Sequence, residues 1–291
     1  MGPKRGAVPR ATAALLLCAG NVWPCAQAEM LPLWEAGAGV TALRLPDYRG
    51  SEQSRGYVLP LPWFVYRGEV VKADRNGVRA RLFDSDRVEL DLSINGSVPV
   101  RSERNRARSG MPDLRPTLEI GPVLDVNLWR LGERRATSAA KLDFRIPVRG
   151  GITYDDGGLR DVGLIAAPHL NLDLRLPMAA AASERWNVGF VLGALAGSRR
   201  HHAYFYDVEP RYATATRPAY RATGGAGGWQ AIVGVSRRMG RWWVGGFAKY
   251  DEVRGAVFAD SPLVTARSYV SGGVAFSYVF AESARRVEAE P

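Results

Sequence analysis

Hydrophobic and polar residues alternate with a period of two along most of the chain. The alternation is clearest over 88–98, and it recurs over 118–128, 140–148 and 164–176. In the first stretch the apolar positions are Val88, Leu90, Leu92, Ile94, Gly96 and Val98, and the positions between them are Glu89, Asp91, Ser93, Asn95 and Ser97. A period of two is typical of β-strands with one apolar and one polar face, so we predict an all-β chain.

Turn residues divide this pattern into strands joined by alternately short and long connections. The predicted strands are 33–44, 56–67, 69–74, 77–83, 87–100, 114–130, 138–149, 160–176, 184–207, 222–238, 240–255 and 266–280. This gives 12 strands, an even number, as expected for an outer-membrane barrel with both termini on one side. The alternative is 10 strands, if 69–74 and 77–83 form one bulged strand and 33–44 is not a strand.

Strand length and face chemistry favour a membrane barrel over a soluble sandwich. The segments 114–130 and 160–176 are much longer than the usual globular strand of about 5–6 residues. The polar faces carry charges of both signs, as the lining of an aqueous lumen does. We therefore predict an antiparallel transmembrane β-barrel, in which every backbone donor can find a partner inside a bilayer. A soluble periplasmic β-protein also alternates and is the alternative.

The N-terminus has the features of a secretory signal peptide. Lys4, Arg5 and Arg10 precede a short apolar stretch at 11–19, and Ala26-Gln27-Ala28 is a small-x-small cleavage signal. The apolar stretch is shorter than the about 20 residues that a transmembrane helix needs. We predict a signal peptide over 1–28 with cleavage after Ala28, a barrel over 29–280 and a short periplasmic tail over 281–291.

Cysteine and charge narrow the possible chemistry. Cys18 and Cys25 both lie in the predicted signal peptide, so the mature chain has no cysteine nucleophile and no thiolate ligand for a metal. The formal charge is +10, and removal of the signal peptide leaves 36 basic and 29 acidic residues. For an exported protein this excess points to outer-membrane lipid and lipopolysaccharide rather than to nucleic acid. The four arginines of loop 101–108 fit lipopolysaccharide phosphates, although a merely solvated loop explains them equally well.

The stretch 57–68, YVLPLPWFVYRG, has the composition of a strand but contains Pro60 and Pro62. Residues two apart in a strand direct their N–H groups to the same neighbour, so the two prolines remove donors from one side only. If 69–74 pairs back from a turn at Arg67-Gly68, the prolines lie opposite the following turn at 74–77. We predict a locally weak point in the sheet, which is either a tolerated bulge or a gate.

A search for catalytic groups finds no convincing set. His169 and Asp173 lie on the same face of one predicted strand, and with a serine nucleophile they would suggest a lipid hydrolase. The chain has no Gly-x-Ser-x-Gly sequence to supply that serine. His201 and His202 are adjacent, and on the strand predicted there they would point to opposite faces, so they cannot both ligate one metal. We predict a protein that is not an enzyme, with no cofactor and no metal site.

The polar faces of consecutive strands supply a set of charged residues that we expect to line the lumen. Ion pairs among them would brace and narrow the lumen, and the alternative is a selective channel, for which the balanced signs give no strong ion preference. The predicted lumenal residues are Glu119, Asp125, Lys141, Asp143, Arg145, His169, Asp173 and Arg175.

Aromatic residues form two further groups. Tyr204, Phe205, Tyr206, Tyr212 and Tyr220 belong to one loop region, which is either an exposed adhesive surface or a plug folded into the barrel. The tryptophans lie mostly near predicted strand ends, where they would anchor the barrel at the membrane interfaces. They are Trp34, Trp63, Trp129, Trp186, Trp229, Trp242 and Trp243.

Two long stretches are similar to a known family. Residues 57–93, YVLPLPWFVYRGEVVKADRNGVRARLFDSDRVELDLS, and 217–238, RPAYRATGGAGGWQAIVGVSRR, resemble the MipA/OmpV family of Gram-negative outer-membrane proteins. The likeness extends from about Leu33 to Phe280. MipA stands for MltA-interacting protein. The resemblance implies an outer-membrane barrel without a catalytic motif.

The resemblance also implies several candidate functions. The member that names the family is a scaffold joining a lytic transglycosylase to a penicillin-binding synthase, and other members are described as porin-like, adhesive or stress-related. The assembly signal expected of such a barrel is its terminal aromatic strand, Phe276, Tyr278 and Phe280. The chain departs from the usual pattern because AESARRVEAEP follows Phe280.

Overall fold

The structure is a computed structural model that describes residues 30–67, 71–74, 77–85, 87–131, 139–155, 157–177 and 185–288. The predicted signal peptide, its cleavage site after Ala28 and both cysteines lie outside these residues. No helix in the described part of the chain is long and apolar enough to cross a membrane.

Fifteen strands and one α-helix make up the described regular structure. The strands are β1 (Met30–Pro32), β2 (Trp34–Pro46), β3 (Ser54–Arg67), β4 (Val71–Asp74), β5 (Gly77–Asp84), β6 (Val88–Gly96), β7 (Thr117–Leu131), β8 (Ala140–Asp155), β9 (Gly158–Ala166), β10 (His169–Pro177), β11 (Arg185–Gly197), β12 (Gly225–Met239), β13 (Trp242–Glu252), β14 (Ser268–Glu282) and β15 (Arg286–Glu288). The helix is α1 (Arg199–Tyr206), and short 3-10 turns cover 102–104, 106–108 and 210–212.

Strands β2 to β14 form one antiparallel sheet in which sequential neighbours pair, and β14 pairs with β2. Both β9 and β10 pair with β8 and with β11, so they are two halves of one interrupted strand. Counted in this way the sheet has the 12 strands that the sequence predicts, not the alternative 10. The pairings run in a complete circuit, from β2 through β8 and β11 to β14 and back to β2.

Three predicted boundaries were wrong. The strand predicted over 160–176 is interrupted at Ala167-Pro168, since proline has no N–H to donate to the ladder. The loop predicted over 150–159 is a hairpin of β8 and β9 that turns between Asp155 and Gly158. The strand predicted over 184–207 ends at Gly197, and α1 follows because the Ser198 side chain caps the His201 N–H of the first turn.

The sheet has two chemically different faces. The side chains of residues that pair across neighbouring strands point to the same face of the sheet, so the strand register assigns each residue to a face. One face carries the exposed apolar residues, such as Val58, Val274 and Phe276, and we call it the outer face. The opposite face carries buried polar residues such as Asp143 and Ser277, and we call it the inner face. This division confirms the predicted alternation of apolar and polar faces.

The main cluster of buried apolar side chains lies in the long connections at one end of the sheet. We call segments 47–53, 97–116, 198–224 and 253–267 together the cap. The buried residues of this cluster are Tyr48, Val100, Leu114, Tyr206, Val208, Ala222, Val253, Ala256, Phe258 and Leu263. The cap thus has its own hydrophobic core, and all four segments contribute to it.

The first and last described strands meet at the opposite end, where the short connections lie. After Phe280, strand β14 continues to Glu282, and β15 then pairs with β1 in a separate two-stranded sheet. Backbone bonds from Leu33 to Arg285 and from Ser283 to Trp34 extend this contact. The first part of the predicted tail is therefore ordered against the N-terminal strand.

Candidate functional site

The charged part of the inner face is built on β7, β8 and β10. Arg145 lies between two acids, with Nε 2.8 Å from Asp125 Oδ2 and Nη2 3.4 Å from Asp143 Oδ2. Lys141 Nζ is 3.2 Å from the same oxygen of Asp143, and Asn127 donates to its other oxygen. Asp143 is fully buried, with 0% of its surface exposed. Because Arg145 and Lys141 surround it, this buried carboxylate is compensated within the sheet.

The remaining predicted lumenal residues continue this network along the same strands. Arg149 Nε lies 3.4 Å from Glu119, which also accepts from Asn95. Asn171 donates to Asp173 at 2.8 Å, and His169 Nδ1 lies 2.8 Å from the carbonyl oxygen of its neighbour Ala167. Arg175, the last of the set, pairs in register with Asn187 of β11.

These contacts join residues of the same or neighbouring strands, so they brace the sheet locally. The bridging pairs across the interior that the sequence suggested are not found among the described ion pairs of this set. An ion pair between more distant strands occurs near the chain termini, where Glu35 of β2 meets Arg238 of β12 at 2.6 Å. Glu35 also meets Arg67 at 2.9 Å, and these two arginines compensate its buried carboxylate.

A row of apolar and small residues crosses the inner face on β2, β3, β13 and β14. The register places Tyr57, Leu43, Gly273 and Phe247 in one row across these strands. The inner side of β3 continues with three more apolar residues, which are Leu59, Leu61 and Trp63. The inner face of these four strands therefore mixes apolar residues with polar ones such as Ser277 and Asp251, and the sequence analysis did not predict the apolar ones.

Two tryptophans meet on the inner face of these strands. The rings of Trp63 and Trp243 have centroids 4.9 Å apart. Gly245 gives Trp243 room, since a Cβ at position 245 would clash with its ring. The prediction that these two tryptophans belong to an interfacial girdle was wrong, whereas Trp242 stacks on Phe276 of the outer face.

Arg49 ties the cap to the end of the sheet. Its Nε is 2.8 Å from Asp251 of β13, and its Nη1 donates to the carbonyl oxygen of Gly227 in β12. The carbonyl oxygen of Arg49 accepts a hydrogen bond from the Tyr206 hydroxyl. One residue thus connects segment 47–53, α1 and two strands.

Two further arginines interlock the cap segments. Arg108 is buried and donates to Ser102 Oγ and to the Phe205 carbonyl oxygen, with its guanidinium over the Tyr48 ring. Arg217 donates to the carbonyl oxygens of Ala107 and Ser109. Arg108 is therefore not available to lipopolysaccharide, although the other three arginines of loop 101–108 are exposed.

The aromatic loop region folds inward. Tyr206 is buried in the cap, and the partly buried Tyr204, Phe205, Tyr212 and Tyr220 pack against its core. Burial raises the pKa of Tyr48 to about 12 and raises that of Tyr206 further. Of the two alternatives that the sequence left open, the structure contradicts the exposed aromatic surface and agrees with the inward-folded plug.

The two adjacent histidines lie on α1 and face the cap core. His202 packs on Phe258, with ring centroids 4.8 Å apart, and its Nδ1 is 2.8 Å from the Thr223 carbonyl oxygen. Burial lowers the pKa of His201 to about 4 and lowers that of His202, so both rings are neutral at pH 7. Within the described residues no cluster of three His, Cys, Asp or Glu side chains could hold a metal ion.

Strand β3 explains how the sheet accommodates its two prolines. The Arg67 N–H donates to the Leu33 carbonyl oxygen, and the Asp47 N–H donates to the Gln53 carbonyl oxygen. Odd-numbered residues of β3 therefore form the hydrogen-bonded pairs with β2. Pro60 and Pro62 therefore direct their missing donors away from β2. On that side the described residues of β4 pair with Tyr66 and Arg67, so the prolines lie beyond this paired segment. The predicted weak point in the sheet is present.

The sequence profile of the family described as MltA-interacting protein MipA matches residues 38–280. The chain belongs to the MipA family. The match covers the sheet from β2 to β14 together with the cap, so this MipA-family chain carries the family's sequence pattern over most of its length. No curated protein matches the chain.

One solved structure aligns with this MipA-family chain over much of its length. It is a crystal structure of a Pseudomonas aeruginosa FadL homologue, which aligns over 85% of this chain and 89% of its own with 10% sequence identity and a TM-score of 0.27. The assembly signal at Phe276, Tyr278 and Phe280 stays a prediction, and all three residues lie in β14.

Proposed function

We propose that the protein is a closed outer-membrane β-barrel that serves as a scaffold for murein-remodelling enzymes. Membership of the MipA family carries this proposal, since the family description names an interaction with MltA. The circuit of strand pairings supports a closed barrel, and the exposed apolar outer face suits hydrocarbon. The proposed partners are a lytic transglycosylase of the MltA type and a penicillin-binding synthase.

The cap favours a scaffold over a diffusion channel. Its core includes Phe258, which is 1% exposed, and Arg49 and Arg217 join its segments to each other and to the sheet. A polar solute would have to displace this packed core to enter the lumen from the outside. Because the cap occupies the outer end of the proposed barrel, a protein partner would bind at the opposite end.

The proposed docking surface is the end that carries the short connections and both chain termini. In the orientation usual for such barrels these turns face the periplasm, where the murein lies. The small sheet of β1 and β15 adds an ordered surface there, with Arg286 donating to the Met30 carbonyl oxygen. The turn at 84–87, the segments 131–137 and 177–185, and the 281–291 tail complete the proposed surface, although residues 86, 132–137, 178–184 and 289–291 of it lie outside the described residues.

A binding experiment with purified partners tests the scaffold. The barrel, immobilised in detergent, is exposed to an MltA-type lytic transglycosylase and, separately, to a penicillin-binding synthase. We expect both to bind, and we expect deletion of 283–291 to weaken binding because it removes β15. The matched control is Arg106→Ala, which breaks the exposed ion pair with Glu52 at the opposite end. Absence of binding to the intact barrel contradicts the scaffold.

Planar-bilayer recordings test the channel alternative. A porin-like barrel gives stepwise conductance, whereas the capped barrel should give none. A conducting wild-type protein would favour the channel, because the cap would then have to leave a path for ions.

A further inference from the structure

Among the described residues, the strand pairing between β3 and β6 is incomplete. On the side away from β2, β3 pairs only through Tyr66 and Arg67, and on the side away from β7, β6 pairs with β5 only over 89–92. The rest of these two edges, 54–65 of β3 and 93–96 of β6, has no strand partner there within the described ranges. The short strands β4 and β5 thus fill only the end of the sheet near the chain termini.

The backbone of this edge is adapted to remain unpaired. The backbone N–H and C=O groups of even-numbered β3 residues point towards the gap. Two of these residues, Pro60 and Pro62, have no N–H to leave unsatisfied. Proline at such positions also prevents another strand from pairing there. The backbone carbonyl groups along this edge need a hydrogen-bond donor, because an unpaired backbone group at membrane depth is tolerated only where it contacts protein or water.

Apolar surface continues from the outer face, across this edge, to the inner face. Val58 is 75% exposed on the outer face, and its neighbour Leu59 is 40% exposed on the inner face. Behind Leu59 lie Leu61 and the Trp63–Trp243 pair. The indole Nε1 of Trp63 is buried and has no acceptor in the described part of the chain. The gap is therefore bordered by apolar inner-face residues on the β3 side and by the polar Ser93 and Asn95 on the β6 side.

The gap is bounded at both ends. Towards the cap, Arg55 donates to the Arg104 carbonyl oxygen and Asn105 donates to Asp47, so segments 47–55 and 101–106 are joined above it. Towards the chain termini, the hairpin of β4 and β5 connects β3 to β6. A gap with joined ends is a window in the sheet and not a frayed edge.

We propose that this window is a lateral opening through which the acyl chain of a membrane amphiphile reaches the apolar inner-face residues of β3. The acyl chain gains apolar contact along Leu59 and Leu61, and the polar head can donate to the free carbonyls of β3 or accept from Trp63 Nε1. The cap leaves this side route open while it occupies the end of the barrel. The inference rests on the proposed insertion in the membrane but not on the scaffold.

Single-cysteine labelling tests the opening, because residues 29–291 contain no cysteine. The mature protein is reconstituted in phospholipid bilayers with a phospholipid that carries a maleimide at the end of one acyl chain. Three variants are compared: Val58→Cys on the outer face, Leu59→Cys on the inner face beside the window, and Ala275→Cys. Ala275 is the matched control, since it shares an inner-face row with Leu59 through Thr41 but lies two strands away.

We expect the lipid reagent to label the Val58→Cys and Leu59→Cys variants and to leave the Ala275→Cys variant unlabelled, while N-ethylmaleimide modifies all three. Labelling of Val58→Cys without Leu59→Cys overturns the opening and leaves the membrane barrel standing. Failure to label Val58→Cys contradicts membrane insertion itself. Equal labelling of Leu59→Cys and Ala275→Cys shows a generally permeable sheet and also overturns the opening. Leu61→Cys replaces Leu59→Cys if the latter does not fold.

Discussion

Tyr206 and Phe258 stack in the centre of the cap, with ring centroids 3.8 Å apart and ring planes 9° apart. Tyr206 ends α1, and Phe258 belongs to the connection between β13 and β14. Ser261 of the same connection donates to the Tyr206 carbonyl oxygen. Two connections that are distant in sequence therefore meet through one aromatic pair, and the stability of the cap should depend on it.

Phe258→Ala should loosen the cap while leaving the sheet intact. Removing a fully buried phenyl ring costs about 3–5 kcal/mol through lost burial and the cavity left behind. Hydrogen exchange should show faster opening of 199–222 and 253–267, with β7 and β8 unchanged. Phe190→Ala is the matched control, since Phe190 is exposed on the outer face. Unchanged exchange in the cap would show that the stack does not hold it.

Acidification should weaken the cap through His201. Burial lowers the pKa of this imidazole to about 4, and the usual unfolded value is about 6.5. The open state therefore binds a proton first as the pH falls, so stability present above pH 6.5 is lost progressively down to about pH 4. Between pH 7.5 and 5 the loss should be about 2 kcal/mol.

Hydrogen exchange of the cap, corrected for the intrinsic rate, measures this pH effect. His201→Gln keeps a polar side chain of similar size that does not titrate, so its cap should lose less stability over the same pH range. The effect of His202, whose pKa is also lowered, should remain in that variant. Identical pH profiles for the wild type and the variant would exclude His201 as the cause.

Gly163→Ala should displace α1 from the sheet. Gly163 has a φ of +95°, and a Cβ there would lie 2.5 Å from Ser198 Oγ and 2.6 Å from the His201 nitrogen. The substitution strains the backbone by about 1–3 kcal/mol and disturbs the Ser198 cap of the helix. Gly255→Ala, where a Cβ meets nothing within 4 Å, is the control. Protease sensitivity near residue 199 should increase in the first variant alone.

Arg145→Met should destabilise the sheet far more than loss of an exposed pair does. The substitution leaves Asp125 without its arginine and removes one of two cations from the buried Asp143, at a cost of about 3–5 kcal/mol. Arg160→Met breaks the exposed pair with Asp155 and should change little. Urea unfolding followed by the mobility of the folded form on gels measures both. Equal midpoints would show that the network contributes no stability.

The strand pattern could be predicted because each strand of this sheet has one face in each environment. Alternation along 88–98 or 118–128 is a local property, so it can be seen without knowing the neighbour of any strand. The same alternation placed Asp143 and Arg145 on the polar face. It could not show that they pair with each other and with Asp125 along neighbouring strands, since that depends on register and side-chain reach.

The sequence by itself determined the strand count, the two faces and the family, because these depend on periodicity and on residue texture. Only the tertiary structure decided that α1 replaces the end of a strand and that Arg108 and Tyr206 are buried. These features arise from contacts between segments far apart in the chain, such as Tyr206 with Phe258. The free energy of such contacts outweighs local propensity, and no short stretch of sequence contains it.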